Sequence, residues 1–279
     1  MKKLIVLLIL AVTFTSCELL ESVSTNGGNA DIAAGLKEAL TVGAQFASDE
    51  LSAEAGYFGD PVYKILMPDE IQTAIDGFKA IEINVFGLGT ITGDDLYSTG
   101  SSFLGIKSLQ DIEDDLVLGI NRAAEEAASE AFPIFGNAIT GITFADANEI
   151  LFGGVDNAAT LYLMDNTFDE LFTTYEPKIS SAISVVQIGG SSVEDLYTDY
   201  VTEYNDILST SIPTGLFSSV SLGDLVGLDE IEEVDLSDFA TEEGLNGLFA
   251  RVEIEEANIR NNAAARITDL LAEVFGQLD

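Results

Sequence analysis

Histidine is absent from the 279-residue chain, and Cys17 is its only cysteine. Ser-His-Asp and Cys-His catalysis and the usual zinc sites need imidazole or thiolate, so those chemistries are excluded. An intramolecular disulfide is excluded as well. The phosphate-cradling pattern GxxxxGKS/T does not occur. Gly87, Gly89 and Gly93 form GxGxxxG, one residue off the dinucleotide fingerprint and without a clear preceding strand. No cofactor and no metal is expected. Basic residues are scarce, 11 against 48 acidic, for a formal charge of −37. Nucleic acid and anionic lipid head groups both need a basic surface and are therefore poor partners. Proline is scarce too, with five in the chain, while hydrophobic residues make up 47%, a composition that argues against disorder.

The acidic excess has a general and a specific reading. A solvating carboxylate surface suits salty surroundings, where a Debye length of ~8 Å or less limits self-repulsion. Divalent-cation binding would instead need carboxylates at defined spacing. Among 48 acids some pair always lies at a separation suited to general acid and base work, so carboxylate chemistry stays open without being indicated.

The first residues, MKKLIVLLILAVTFTSC, place Lys2 and Lys3 before an apolar run from Leu4 to Val12, with Thr15 and Ser16 just ahead of Cys17. That is the pattern of a secretory signal. The run is far short of the ~20 residues that span a bilayer as a helix, so a lasting anchor has to come from elsewhere. Phe14-Thr15-Ser16-Cys17 resembles the bacterial lipobox, in which the peptide is cut before a cysteine that receives a diacylglycerol, with Phe14 in place of the usual Leu. An ordinary signal cleaved nearby, with Cys17 incidental, is the alternative. The expected organisation is a signal peptide over 1–16, a lipidated Cys17 with a polar tether over 17–30, and one domain over 31–279. Without Lys2 and Lys3, nine basic side chains face 48 acidic ones, a formal charge of −39.

Helical periodicity dominates that domain. Ile32, Leu36, Ala39, Leu40, Gly43, Phe46, Ala47 and Leu51 fall on one stripe. Pro68 suits the first position of a second helix, with Asp69 and Glu70 in the first turn where the dipole favours them. Ser108 opens another, and Pro133 marks the start of a short one. Val193, Leu196, Tyr197, Tyr200, Val201, Tyr204, Ile207 and Leu208 keep the helical spacing, as do Ile267, Leu270, Leu271, Val274, Phe275 and Leu278. Gly-rich stretches interrupt near 84–107, which reads as a long loop or small β-like excursion, and near 211–235. The tripeptide DLY recurs at 95–97 and 195–197, too short to count as a repeat. An all-α single domain of about eight to ten helices is expected.

The stretch FADANEILFGGVDNAATLYL, 144–163, gathers Asp146, Asn148, Asp156 and Asn157 around a Gly-Gly pair. The EF-hand spacing fails here, because Ile150 and Leu151 stand where an acid and a glycine are needed. The expectation is a corner: Thr143 followed by Asp146 starts a short helix, Gly153 caps its end, and Asp156 caps the next helix.

GLKEAL at 35–40, GYFGDPVYKILMP at 56–68, NRAAEEA at 121–127, DANEIL at 146–151, GGVDNAATLYL at 153–163, GLF at 247–249, IRNN at 259–262 and VFG at 274–276 together resemble the bacterial DUF4197 family. The resemblance implies a mostly helical, exported, often lipid-anchored protein with no established activity. The stretch from about 86 to 107 looks longer than the family has there, and Asn262-Ala263 replaces its Asn-Pro. Asn121, Arg122, Glu125, Asp146, Asp156, Thr160, Tyr162 and Arg260 lie in these blocks and Tyr204 and Asn205 between them, and Arg122 and Arg260 are two of the nine basic residues that follow Cys17. Arg122 shares a helix face with Glu125 and Glu126. These residues are expected to meet in space, either as a buried network that orients helices or as a pocket in which the arginines hold a small anionic ligand. The functional expectation is a non-catalytic binding or assembly factor of the envelope, tethered at an outer membrane. A purely structural scaffold and a carboxylate-dependent hydrolase acting on envelope or exopolymer glycans are the alternatives.

Overall fold

The computed structural model describes residues 18–85, 89–232 and 234–279. Among the described residues eleven α-helices and three two-stranded sheets follow one another, and the structure is 67% helical. The first half comprises α1 (Glu18–Leu51), α2 (Asp69–Lys79), the hairpin β1 (Glu82–Val85) and β2 (Gly89–Thr92), α3 (Gly93–Thr99), α4 (Gln110–Ala128), α5 (Ala131–Gly141) and α6 (Ala147–Phe152). The second comprises α7 (Ala158–Val185), the hairpin β3 (Gln187–Ile188) and β4 (Ser191–Ser192), α8 (Val193–Ser209), the hairpin β5 (Ser211–Pro213) and β6 (Ser219–Ser221), α9 (Leu222–Val226), α10 (Leu236–Asn261) and α11 (Asp269–Phe275).

The centre of the molecule is α1 laid against α10, with α7 on the far side of α10 and α4, α5 and α11 closing the flanks. Small residues permit this closeness: a β-carbon on Gly35 would lie 2.7 Å from the Val274 side chain of α11. One on Gly247 would lie 2.6 Å from the ring of Tyr57, whose hydroxyl donates to the Gly244 carbonyl at 2.7 Å. The α1 stripe is buried except for Phe46, which stays 44% exposed, and all eight apolar positions named for α8 are buried. Ile267 lies outside α11 and is exposed, so the C-terminal stripe begins later than its spacing suggests. Helix α1 also takes in residues 18–30, the stretch expected to be a tether. The expected signal peptide and Cys17 lie outside the described residues.

Other element starts shift slightly. Pro68 is the N-cap of α2 instead of its first residue. The Ser108 hydroxyl donates back to the carbonyls of Tyr97 and Ser98, and α4 begins two residues later at Gln110.

The two Gly-rich loops are built, and by one device used three times. A helix ends, a short antiparallel hairpin follows, and the last strand runs directly into the next helix through a hydroxyl N-cap with Asp three residues on. Thr92, Ser192 and Ser221 are those caps, and their side chains accept the amides of Asp95, Asp195 and Asp224 at 3.1, 3.0 and 3.2 Å. The aspartates answer: Asp95 and Asp224 accept the cap hydroxyl and Asp195 accepts the cap amide. In the first and third copies the first helical amide donates across the hairpin, Gly93 to Ile81 and Leu222 to Thr210. The two DLY tripeptides therefore occupy the same structural position. Gly89 and Gly93 belong to the first hairpin and its helix start, preceded by an antiparallel strand and not by the parallel strand of a dinucleotide fold.

Candidate functional site

The matching polar residues do not form one network; the structure sorts them into separate places. The most enclosed is on α10. Glu256 is fully buried, and the Arg260 side chain, one helical turn on, is 3% exposed. Arg260 Nε donates to Glu256 Oε1 at 2.9 Å, while its Nη1 and Nη2 reach the carbonyls of Leu151 and Ile150 at 2.9 and 3.0 Å. Those carbonyls lie in the last turn of α6. The carboxylate faces the other way: Glu256 Oε1 accepts the amide of Ala159 at 3.0 Å, and Oε2 accepts the amide and hydroxyl of Thr160 at 2.7 and 2.6 Å. These amides belong to the first turn of α7. Negative charge at a helix start and positive charge at a helix end both complement the helix dipole, so one ion pair joins two helices end to end.

Asp156 does not make that cap. It is exposed, Asn157 at the N-cap position contributes no side-chain bond, and Glu256 from about a hundred residues downstream takes the role. Asp146 does cap α6, accepting the Glu149 amide at 3.0 Å. Gly153 follows α6 in ordinary right-handed conformation, and Gly154, at φ 75°, makes the left-handed turn. Tyr162 pins the loop ahead of α6: its hydroxyl donates to Thr143 at 3.0 Å and its ring packs on Phe144.

Arg122, Asn121 and Glu125 form a second place, on α4. Glu125 is 5% exposed, and its Oε1 accepts the amides of Tyr57 and Phe58, both at 3.2 Å. Its Oε2 holds Arg122, whose other nitrogen lies 3.5 Å from the exposed Glu54. Arg122 and Arg260 share no partner. Arg122 is 26% exposed and lines an open groove of about 460 Å³ together with Ser52, Glu54, Glu125, Glu126 and Gln187. Three carboxylates around one guanidinium give that groove an acidic balance, unfavourable to the anionic ligand expected from the sequence.

Two asparagines act as strand substitutes. The Asn121 side chain accepts the Ile65 amide at 2.9 Å and donates to the Ile65 carbonyl at 2.7 Å. Asn205 does the same for Ile231, at 2.9 and 3.0 Å. Each carboxamide thus pins an extended segment that lies in no sheet, satisfying backbone groups that would otherwise be stranded. Beside Asn205, the buried Tyr204 packs on Phe78, and burial pushes its hydroxyl up to about 12. Phe78 also meets Tyr97, whose hydroxyl donates to Glu113 at 2.9 Å and bonds Tyr200 at 2.8 Å. Desolvation, then the neighbouring Tyr200 and Glu113, hold Tyr97 well above the ordinary tyrosine range.

Two residues of this framework escape the sequence reading. Glu256 is one, although it stands four before Arg260 on a helix that buries both. The other is Arg266, whose Nε and Nη2 donate to the last carbonyls of α10, Ile259 and Arg260, and which grips Asp279 with both η nitrogens at 2.8 and 2.9 Å. An arginine just past a helix end, in a chain so poor in bases, was the available signal. Among the described residues no three of His, Cys, Asp and Glu converge to hold a metal ion, and no helix is long and apolar enough to cross a membrane.

A single all-α domain whose signature polar side chains join helix ends and pin extended segments is the class this geometry defines. The family described as "Protein of unknown function (DUF4197)" matches residues 26–86 and 95–276. The chain belongs to DUF4197. Residues 87–94, which include β2 and the start of α3, fall outside the match and within the stretch of about 86–107 expected to exceed the family's length. No curated protein and no solved structure matches the chain.

Proposed function

We propose that the protein is an exported envelope lipoprotein, held at an outer membrane through Cys17, and that it acts as a non-catalytic scaffold or assembly factor. The observation that carries the scaffold reading is the sealed Glu256–Arg260 pair, whose donors and acceptors are spent on each other and on the ends of α6 and α7. A group so enclosed reaches neither substrate nor solvent. The hydrolase alternative needs a carboxyl held protonated inside a groove. Burial raises the Glu243 carboxyl, but Glu243 does not line the grooves that hold Tyr197, Tyr204, Arg122, Lys178 or Tyr162. The leader and the Phe14-Thr15-Ser16-Cys17 pattern support the anchor. Cys17→Ala is expected to abolish lipid labelling and release the protein into the soluble fraction; retention on the membrane would defeat the anchor.

A second reading rests on the open groove around Arg122, where Glu54, Glu125 and Glu126 supply three carboxylates. The acidic balance there suits an amine or a basic segment of an envelope protein better than a carboxylate. A thermal-shift screen of amines, basic peptides and small acids tests it, since any molecule that binds the native state raises its apparent stability. A shift lost in Glu54→Gln would support the groove, and no shift from any of them leaves the scaffold as the reading.

A further inference from the structure

Leu216 and Phe217 stand at the tip of the β5–β6 hairpin, 77% and 102% exposed. The hairpin that carries them is paired at its root and bonded near its tip. Ser211, Ile212 and Pro213 pair with Ser221, Val220 and Ser219, and Ile212 at the root is fully buried. The Thr214 and Gly215 amides both donate to the Ser218 carbonyl, at 3.0 and 3.3 Å, and the Thr214 hydroxyl bonds that of Ser218. Those two amides and that carbonyl are therefore already paired, which lowers the cost of moving them into a less polar medium. Charge avoids the element altogether: residues 207–223 hold no Asp, Glu, Lys or Arg, the longest such run in the chain.

We infer that this tip inserts into the interfacial zone of a lipid bilayer and so orients the tethered domain against the membrane. The inference rests on the proposed anchor. A leucine and a phenylalanine bury together on the order of 400 Å², about half of what each partner of a stable protein complex contributes. A second copy or a protein partner thus gains too little from the tip alone, whereas a bilayer needs no complementary surface. With a strongly acidic exterior, contact with lipid also has to come through an uncharged element, because carboxylates are repelled by anionic head groups. One short apolar tip is a weaker membrane signal than a single acyl chain, and stable attachment takes two signals. Tethering supplies the missing part by raising the effective concentration of the tip at the surface.

The chain contains no tryptophan, so Phe217→Trp introduces a single fluorescent reporter at the tip. The test uses the chain from Cys17 onward, which carries every described residue. Its only thiol is coupled to a maleimide lipid in phosphatidylcholine vesicles, making the tether independent of natural lipidation. Emission should shift to the blue and be quenched by brominated lipid, while Phe103→Trp, at another exposed aromatic, should remain solvent-like. Untethered, the Leu216→Ser/Phe217→Ser variant should partition into vesicles roughly a hundredfold less than the unsubstituted chain. A solvent-like, unquenched Phe217→Trp on tethered vesicles would overturn the inference. So would a blue shift without vesicles that grows with protein concentration, which would mark self-association. Failure of the anchor itself would appear only in the Cys17→Ala fractionation.

Discussion

Glu256 on α10 accepts both the backbone amide and the hydroxyl of Thr160 on α7, at 2.7 and 2.6 Å, and so starts a helix that lies about a hundred residues before it in the chain. Thr160→Val removes the hydroxyl and keeps the shape and the amide bond. Loss of a hydrogen bond to a charged, buried acceptor is expected to cost about 1.5–3 kcal/mol. A urea unfolding curve that does not move would show that the hydroxyl contributes nothing to the joint.

Arg122 and Glu125 should behave unequally. Arg122→Ala leaves Glu125 with the Tyr57 and Phe58 amides, and Arg122 is itself partly solvated, so a loss of about 1–2 kcal/mol is expected. Glu125→Ala strands both amides and the arginine, and should cost about 2–4 kcal/mol. Chemical denaturation of the two variants decides this, and the reverse ranking would mean that the pair is organised around the arginine.

The three hairpin caps offer an internal comparison. Ser192→Ala, Thr92→Ala and Ser221→Ala each remove one accepted amide bond, at a typical cost of about 1 kcal/mol. Ser192→Ala should be felt most, because α8 buries eight side chains along its length while α9 is five residues long. Equal melting temperatures for all three variants and the parent would show that the hairpins, and not the caps, set where the helices start.

Alkaline pH should destabilise the fold. Burial raises the hydroxyls of Tyr57 and Tyr175 well above the ordinary tyrosine value of 10.0. The unfolded chain then loses its protons first, so the stability these groups hold below pH ~10 falls by up to about 1.4 kcal/mol per pH unit each as pH rises toward their folded values. Tyrosinate absorbance followed together with circular dichroism checks this. Part of the absorbance should appear only with unfolding, and complete ionisation of all eight tyrosines in a folded protein would contradict it.

Local signals carried far in this chain and remote ones did not. The α8 stripe and the Asp146 cap are readable because period and capping depend on residues within a turn or two. Asp156 was the obvious local candidate to cap α7, and only tertiary packing puts Glu256 there. Asn121 stands in a matching block and Asn205 within the matched span, but their partners Ile65 and Ile231 are 56 and 26 residues away and nothing in the spacing announces them. The second and third hairpins hid for a different reason, and the first showed only as a long loop or β-like excursion: strands of two to four residues are too short to show alternation, and DLY gained meaning only when both copies lay behind a hydroxyl cap. The expected union of Arg122 and Arg260 failed because each found carboxylate and backbone partners on its own helix and its nearest neighbours.

A double-mutant cycle at Glu256 and Arg260, read by equilibrium urea unfolding, measures most directly whether the signature polar residues serve as internal joints. Glu256→Gln and Arg260→Leu should each cost about 3–5 kcal/mol, since each leaves a buried charge without its partner. The double variant should cost clearly less than their sum, with a coupling above about 1.5 kcal/mol. Two small, additive losses would contradict the role of the pair as a structural joint between α6 and α7.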